Sequence, residues 1–221
     1  MPLSRYHMLA AGIFEKIALL CGDVVLTGAA VRPYRWTLED YEQLIALGLL
    51  EGKHVELIQG EILTVAPMGE LPALMIIHLP EVLLSHFNTR TGYHLRVQMP
   101  LALPALTWAP EPDITLVPLG IPTNEAGCPT NASLIVEVAE SPLAYDRDRQ
   151  DPLYAAAGIQ DYWLINLPER CCEVYRQPVP DITSFSGWRY QERQVLQEGE
   201  QVAPLGAPAV VVAAGDLLPT L

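Results

Sequence analysis

Apolar positions along the chain change period several times, and each change marks an element. Thr37, followed by Glu39 and Asp40, opens a helical pattern that runs through YEQLIALGLL and stops between Gly48 and Gly52. Acids in a first turn complement the partial positive charge of a helix N-terminus. VELIQGEILTVA alternates about Gln59-Gly60, the pattern of a β-hairpin. Residues 70 to 88 are apolar at helical spacing, and Pro80 in their middle predicts a kink or an early end. HLRVQMPLAL, ITLV and SLIVEV read as strands, the last two dense enough in Leu, Ile and Val to be buried on both faces. A helix over residues 147 to 157, stopped by Gly158, precedes strands at DYWLIN and CEVYR. GWRYQERQVL and PAVVVAAGDLL read as a hairpin that finishes the sheet. The polar stretch from Pro118 to Asn131 predicts an exposed loop.

Two acids stand out against this pattern. Asp113 starts one apolar run and Glu137 lies near the end of another, so neighbouring strand ends bring two carboxylates together. Such a pair can hold a divalent metal, and metal with nearby basic groups is the machinery of phosphodiester cleavage. A lysine is expected on the element that follows, where the chain has Gln150. Structural readings stand beside these: Glu137 as a structural charge, Asp113 as a turn former after proline, and Glu56 as a surface acid beside a hairpin.

Composition narrows the field. With 221 residues, half of them apolar and 18% charged, the chain is globular and has enough residues for one substantial core. The balance of 13 basic against 26 acidic side chains gives a net charge of −13, which repels polyanions at long range. Nucleic acid would have to be met by a local basic patch or through bound metal. Cys21, Cys128, Cys171 and Cys172 form no CxxC pair, so a thiolate zinc site is not indicated, and free cysteines fit a reducing cytoplasm. Glu15, Lys16 and Asp23 interrupt the apolar residues 8 to 30, which leaves no run long enough for a membrane span. The five histidines have no HExxH spacing, and neither a nucleophile elbow nor a Walker loop occurs.

The segments VELIQGEI, PEPDITLV, IVEVAESPLAYDRDRQDPLYAAAGIQDYWLI and EVYR, taken in that order, resemble the Uma-two family of restriction-endonuclease-like proteins within the PD-(D/E)XK nuclease superfamily. The resemblance spans roughly residues 36 to 217, with YAAAGIQDYW its most distinctive piece. It implies an α/β fold with a restriction-endonuclease-like core, a central mixed sheet flanked by helices. It also implies a Mg²⁺ or Mn²⁺ site in which Asp113 and Glu137 bind the ion, the Val138 carbonyl supplies a further oxygen, and Glu56 assists. The family lysine falls four residues before the tyrosine of the Tyr-Ala motif, which is Gln150 here, and a histidine that often opens the helix near residue 72 is replaced by Pro72. Gln150 donates a hydrogen bond but brings no charge. Arg147 would share its helix face, though a guanidinium is a poor base.

The expected activity is therefore a Mg²⁺-dependent endonuclease acting on DNA, as a cytoplasmic homodimer. The alternative is a catalytically degenerate protein of the same fold that binds nucleic acid or protein. Residues 36 to 221 form the expected domain. Residues 1 to 35 read either as an extension packed on the core or as a decayed partial repeat of residues 41 to 66, with Tyr6 matching Tyr41 and Gly22-Asp23 matching Gly60-Glu61.

Overall fold

A computed structural model describes residues 34–64, 68–140 and 151–218. Its centre is a six-stranded sheet built from β3 (Tyr93–Val97), β4 (Ile114–Pro118), β5 (Leu134–Ala139), β6 (Asp161–Asn166), β7 (Cys171–Pro180) and β8 (Trp188–Leu196), side by side in chain order. Every pairing is antiparallel except β5 with β6, which is parallel. The sheet is thus mixed, and three helices flank it: α1 (Leu38–Ala46), α2 (Glu70–Leu84) and α3 (Asp151–Ala156).

The alternation of side chains sorts the sheet into two apolar layers. Ile114, Leu116, Val136, Trp163, Ile165 and Val174 face Met75, Leu79 and Leu83 of α2, with Phe87 just after it. On the opposite face Val117, Ile135, Tyr162, Leu164 and Tyr175 pack with Leu153, Tyr154 and Ala155 of α3. As the two dense apolar runs predict, β4 and β5 are buried along nearly their whole length. The parallel pair needs a crossover, and α3 lies in the connection between its two strands.

Beside the sheet, α1 and the hairpin of β1 (Val55–Ile58) and β2 (Glu61–Thr64) form a smaller cluster around Tyr41, Leu57 and Ala109. Thr37 caps α1 through a reciprocal box with Asp40, at 3.1 and 3.2 Å. Gln59 and Gly60 both have positive φ, 49° and 80°, as the tight turn of a two-residue hairpin requires. A bridge from Leu57 to Ala109 ties this hairpin to the approach of β4.

Several expectations are corrected. α2 runs through Pro80 to Leu84 as one helix of 15 residues, because Leu79 and Leu83 on its buried face anchor both sides of the proline in the core. β3 ends at Val97, where Gln98 turns to a φ of 46°, so the following PLAL is not strand. β8 pairs with β7 and not with the chain's tail. Instead β9 (Gln201–Val202) and β10 (Val212–Ala213) make a separate ribbon followed by a 3₁₀ turn over Ala214–Leu217. The start of the predicted helix over 147 to 157 and all of residues 1 to 33 lie outside the described residues. Among the described residues no helix is long and apolar enough to cross a membrane, and Cys128, Cys171 and Cys172 are free.

Candidate functional site

Asp113 immediately precedes β4, and Glu137 lies within β5 on the face that α3 covers. Both are buried. The two residues interlock through their backbones. Asp113 N–H donates to Glu137 Oε2 at 3.0 Å, and Val138 N–H donates to Asp113 Oδ2 at 2.9 Å. Each carboxylate is held from a second side as well: Tyr154 OH donates to Glu137 Oε1 at 2.7 Å, and Gln98 Nε2 reaches Asp113 Oδ1 at 3.3 Å. A carboxylate oxygen that accepts one hydrogen bond keeps a second lone pair for a ligand.

Glu56, on β1, joins the pair through its electric field. Burial raises its pKa, a hydrogen bond from the Glu111 backbone opposes that rise, and the charges of Glu111 and Asp113 reinforce it, so Glu56 is pushed up to about 7. Burial likewise raises Glu137 well above the usual carboxylate range, with the charges of Asp113 and Glu56 adding to it. Tyr154 is raised by its own burial and then by Glu137. Glu111 is a fourth carboxylate in the group, raised by burial and partly relieved by His54. An open cleft of about 400 Å³ adjoins it, lined by Tyr41, Lys53, His54 and Glu111.

Acids that hold one another's protons in this way form a donor set suited to a hard divalent cation, which binds through oxygens. The residues therefore fit the metal that the resemblance implies, with Asp113 and Glu137 closest together and Glu56 at greater reach. A different trio brings its donor atoms within 4.8 Å of one another: Glu169, Cys171 and Glu173. There Glu173 is already engaged by Arg193, Tyr175 and Asn166, so that trio reads as a structural network. Val138 sits where its backbone joins Asp113, while Gln150 and Arg147 lie outside the described residues.

Sequence reasoning passed over Glu111, Gln98 and the role of Tyr154. Glu111 had a visible signal, since it precedes Asp113 by two positions in Pro-Glu-Pro-Asp and so shares its side of an extended chain. Gln98 had none, because the turn after β3 that aims it at Asp113 depends on a positive φ.

The raised carboxylates make stability depend on pH. A carboxylate with a folded-state pKa above its unfolded value binds its proton more tightly when folded, so its contribution is full below about 4.5 and lost as pH rises through the folded value. For Glu56 the interval from 4.5 to about 7 corresponds to a loss of at most about 3 kcal/mol. Urea unfolding in a chelator should therefore show lower stability at pH 8 than at pH 5, with Glu56→Gln flattening the dependence. A Glu56→Gln profile as steep as that of the unmodified protein would refute the assigned coupling.

Comparison with known proteins gives a family and a fold. The family model for Uma2, described as "Putative restriction endonuclease", matches residues 38–215. A crystal structure of "a putative nuclease belonging to DUF820 from Anabaena variabilis ATCC 29413" is similar with a TM-score of 0.60 at 18% identity, covering 82% of this chain and 96% of that one. No curated protein matches the chain.

Proposed function

The chain belongs to the Uma2 family, and on that premise we propose that it is a metal-dependent endonuclease that hydrolyses DNA phosphodiester bonds. The observation that carries this reading is the Asp113–Glu137 interlock, in which two buried carboxylates are fixed against each other by backbone N–H groups. Asp113 and Glu137, with the carbonyl of Val138, would hold Mg²⁺ or Mn²⁺. When bound, such an ion neutralises charge on the phosphate and acidifies a coordinated water.

The chain's own residues do the positioning. Tyr154 fixes the Glu137 carboxylate and Gln98 fixes that of Asp113, so both sets of oxygens stay aimed as substrate arrives. Glu56, pressed by the charges of Glu111 and Asp113, would accept hydrogen bonds from water around the centre. Gln150 would donate a hydrogen bond to that water without supplying charge. We place this activity in the cytoplasm and assign it to a homodimer. Leu74, Ile77 and Leu84, exposed along one stripe of α2, are the apolar surface that a second copy would cover.

A second reading rests on Gln150. A fold that keeps the carboxylates without the lysine can bind metal and nucleic acid with little cleavage. The nuclease reading requires the metal and a degenerate binding module does not, so the first test is metal binding. Titration with Mg²⁺ or Mn²⁺ at pH 7.5 should raise the unfolding temperature, by the equivalent of about 3 kcal/mol at a hundredfold excess over Kd. Glu137→Gln should abolish the rise. An unmodified protein whose unfolding temperature ignores both ions would exclude the nuclease reading in favour of the degenerate one.

A further inference from the structure

The Glu-Val-Tyr-Arg segment of β7, one of the segments that resemble the family, takes no part in the candidate centre, yet it builds a second polar group on the same face of the sheet. Glu137 lies across from Leu164, and Leu164 lies across from Glu173, so the two glutamates occupy one row with a single strand between them. Two strand spacings separate them by roughly 10 Å. Glu173 is wholly buried. Asn166 Nδ2 donates to its Oε1 at 2.9 Å, and Tyr175 OH donates to its Oε2 at 2.5 Å. From the neighbouring strand, Arg193 donates to the same Oε2 through Nε at 2.9 Å and Nη2 at 2.8 Å. The guanidinium also lies over the Tyr175 ring, 5.9 Å from its centroid.

This arrangement holds a cation rather than hiding one. Its partner Glu173 is buried, whereas 45% of the Arg193 side chain is exposed. Glu173 takes bonds from Nε and Nη2, and a guanidinium carries five N–H donors, so donors remain beyond those that this carboxylate uses. The part of this pair that faces solvent is the guanidinium, since its carboxylate partner is buried. An aromatic ladder fixes the group to the candidate centre: Tyr154, which holds Glu137, packs on Tyr162, and Tyr162 on Tyr175, at centroid distances of 5.2 and 5.6 Å. Arg193 thus sits three strand spacings across and two residues along from Glu137, roughly 16 Å away, a few phosphates along a nucleic-acid strand.

We propose that Arg193, oriented by Glu173 and Tyr175, is a clamp for a backbone phosphate of the nucleic acid whose scissile bond lies at the Asp113–Glu137 centre. The assignment rests on the nuclease reading for its ligand, and it explains why a carboxylate is buried beside a half-exposed arginine. An arginine preset in this way loses less side-chain freedom when it meets a phosphate and can present two parallel N–H donors.

The test is the binding of a fluorescent duplex oligonucleotide to the full chain by anisotropy, with Ca²⁺ replacing Mg²⁺ to suppress cleavage, over a range of salt concentrations. Arg193→Gln should flatten the slope of log K against log salt by about 0.9, the signature of one fewer phosphate neutralised by the protein. Arg193→Lys keeps the charge but not the fork, so it should keep the slope and weaken binding several-fold. Because Arg193→Gln strands a buried carboxylate, the pair Glu173→Gln with Arg193→Gln is measured alongside it and should show the same flattening. Slopes equal to that of the unmodified protein in both glutamine variants would overturn the clamp and leave the nuclease reading intact. An unmodified protein that binds no duplex would overturn both.

Discussion

Asp113→Asn is expected to lower Mg²⁺-dependent nicking of supercoiled DNA by at least about 100-fold, the scale of losing one preorganised charge-stabilising group. The same substitution should stabilise the metal-free protein. Asparagine can still accept the Val138 N–H, so the interlock with β5 survives, while one negative charge leaves a buried group whose members raise Glu56 and Glu137. The opposite signs are the useful part, since a merely structural Asp113 would lose stability together with activity. Nicking is best followed in the native chain and in Gln150→Lys, which supplies the charge the family pattern places at that position. In both backgrounds Asp113→Asn should bring cleavage to that of metal-free controls. Cleavage that survives Asp113→Asn in either background would remove this carboxylate from the reaction.

The largest stability effect is expected outside the candidate centre. Asp161 is wholly buried at the start of β6 and is held by Arg176 Nε at 2.8 Å, Trp163 Nε1 at 2.9 Å and Leu205 N–H at 2.7 Å. Arg176 also donates to the Ala203 carbonyl at 2.6 Å, so the pair fastens the tail after β9 to the sheet. Arg176→Met leaves a buried carboxylate without its counter-charge, which costs about 3–5 kcal/mol. Changing both residues, Asp161→Leu with Arg176→Met, should cost much less than the single change, because no charge is then left behind. Urea midpoints measure this directly. A single-variant loss under about 1 kcal/mol would mean that water reaches Asp161 in solution.

How much of this was legible in the sequence differs by element. β4, β5 and β6 were readable because strands buried on both faces need unbroken apolar runs, and few other structures use them at that length. The α1 cap and the first hairpin were readable because Thr37 with Asp40, and Gln59 with Gly60, carry their own geometry. Local rules failed where tertiary contacts decide. Pro80 should break a helix, but Leu79 and Leu83 keep both halves against the sheet. The tail is as apolar as a strand would be, yet β7 already offers its free edge to β8. Within the candidate site, Asp113 and Glu137 stood out as acids at the ends of apolar runs. Tyr154 was visible only as the tyrosine of the Tyr-Ala motif; its ring is a core aromatic, and its hydroxyl, 2.7 Å from Glu137, joins it to the acids. Gln98 reaches Asp113 through a turn that leaves no compositional trace.

In the six-stranded sheet every strand lies beside its neighbour in the chain. The turns joining β6 to β7 and β7 to β8 are short, so those strands add through local contacts, which favour fast folding. The parallel β5–β6 junction breaks that progression, because the chain must travel through α3 and return before β6 can register against β5. Glu137 lies on the upstream side of this excursion and Tyr154 within it. Completion of the site around the carboxylate pair is therefore tied to the longest connection in the sheet. A nascent chain released as far as β5 already carries Asp113 and Glu137, but not the tyrosine that fixes the second of them.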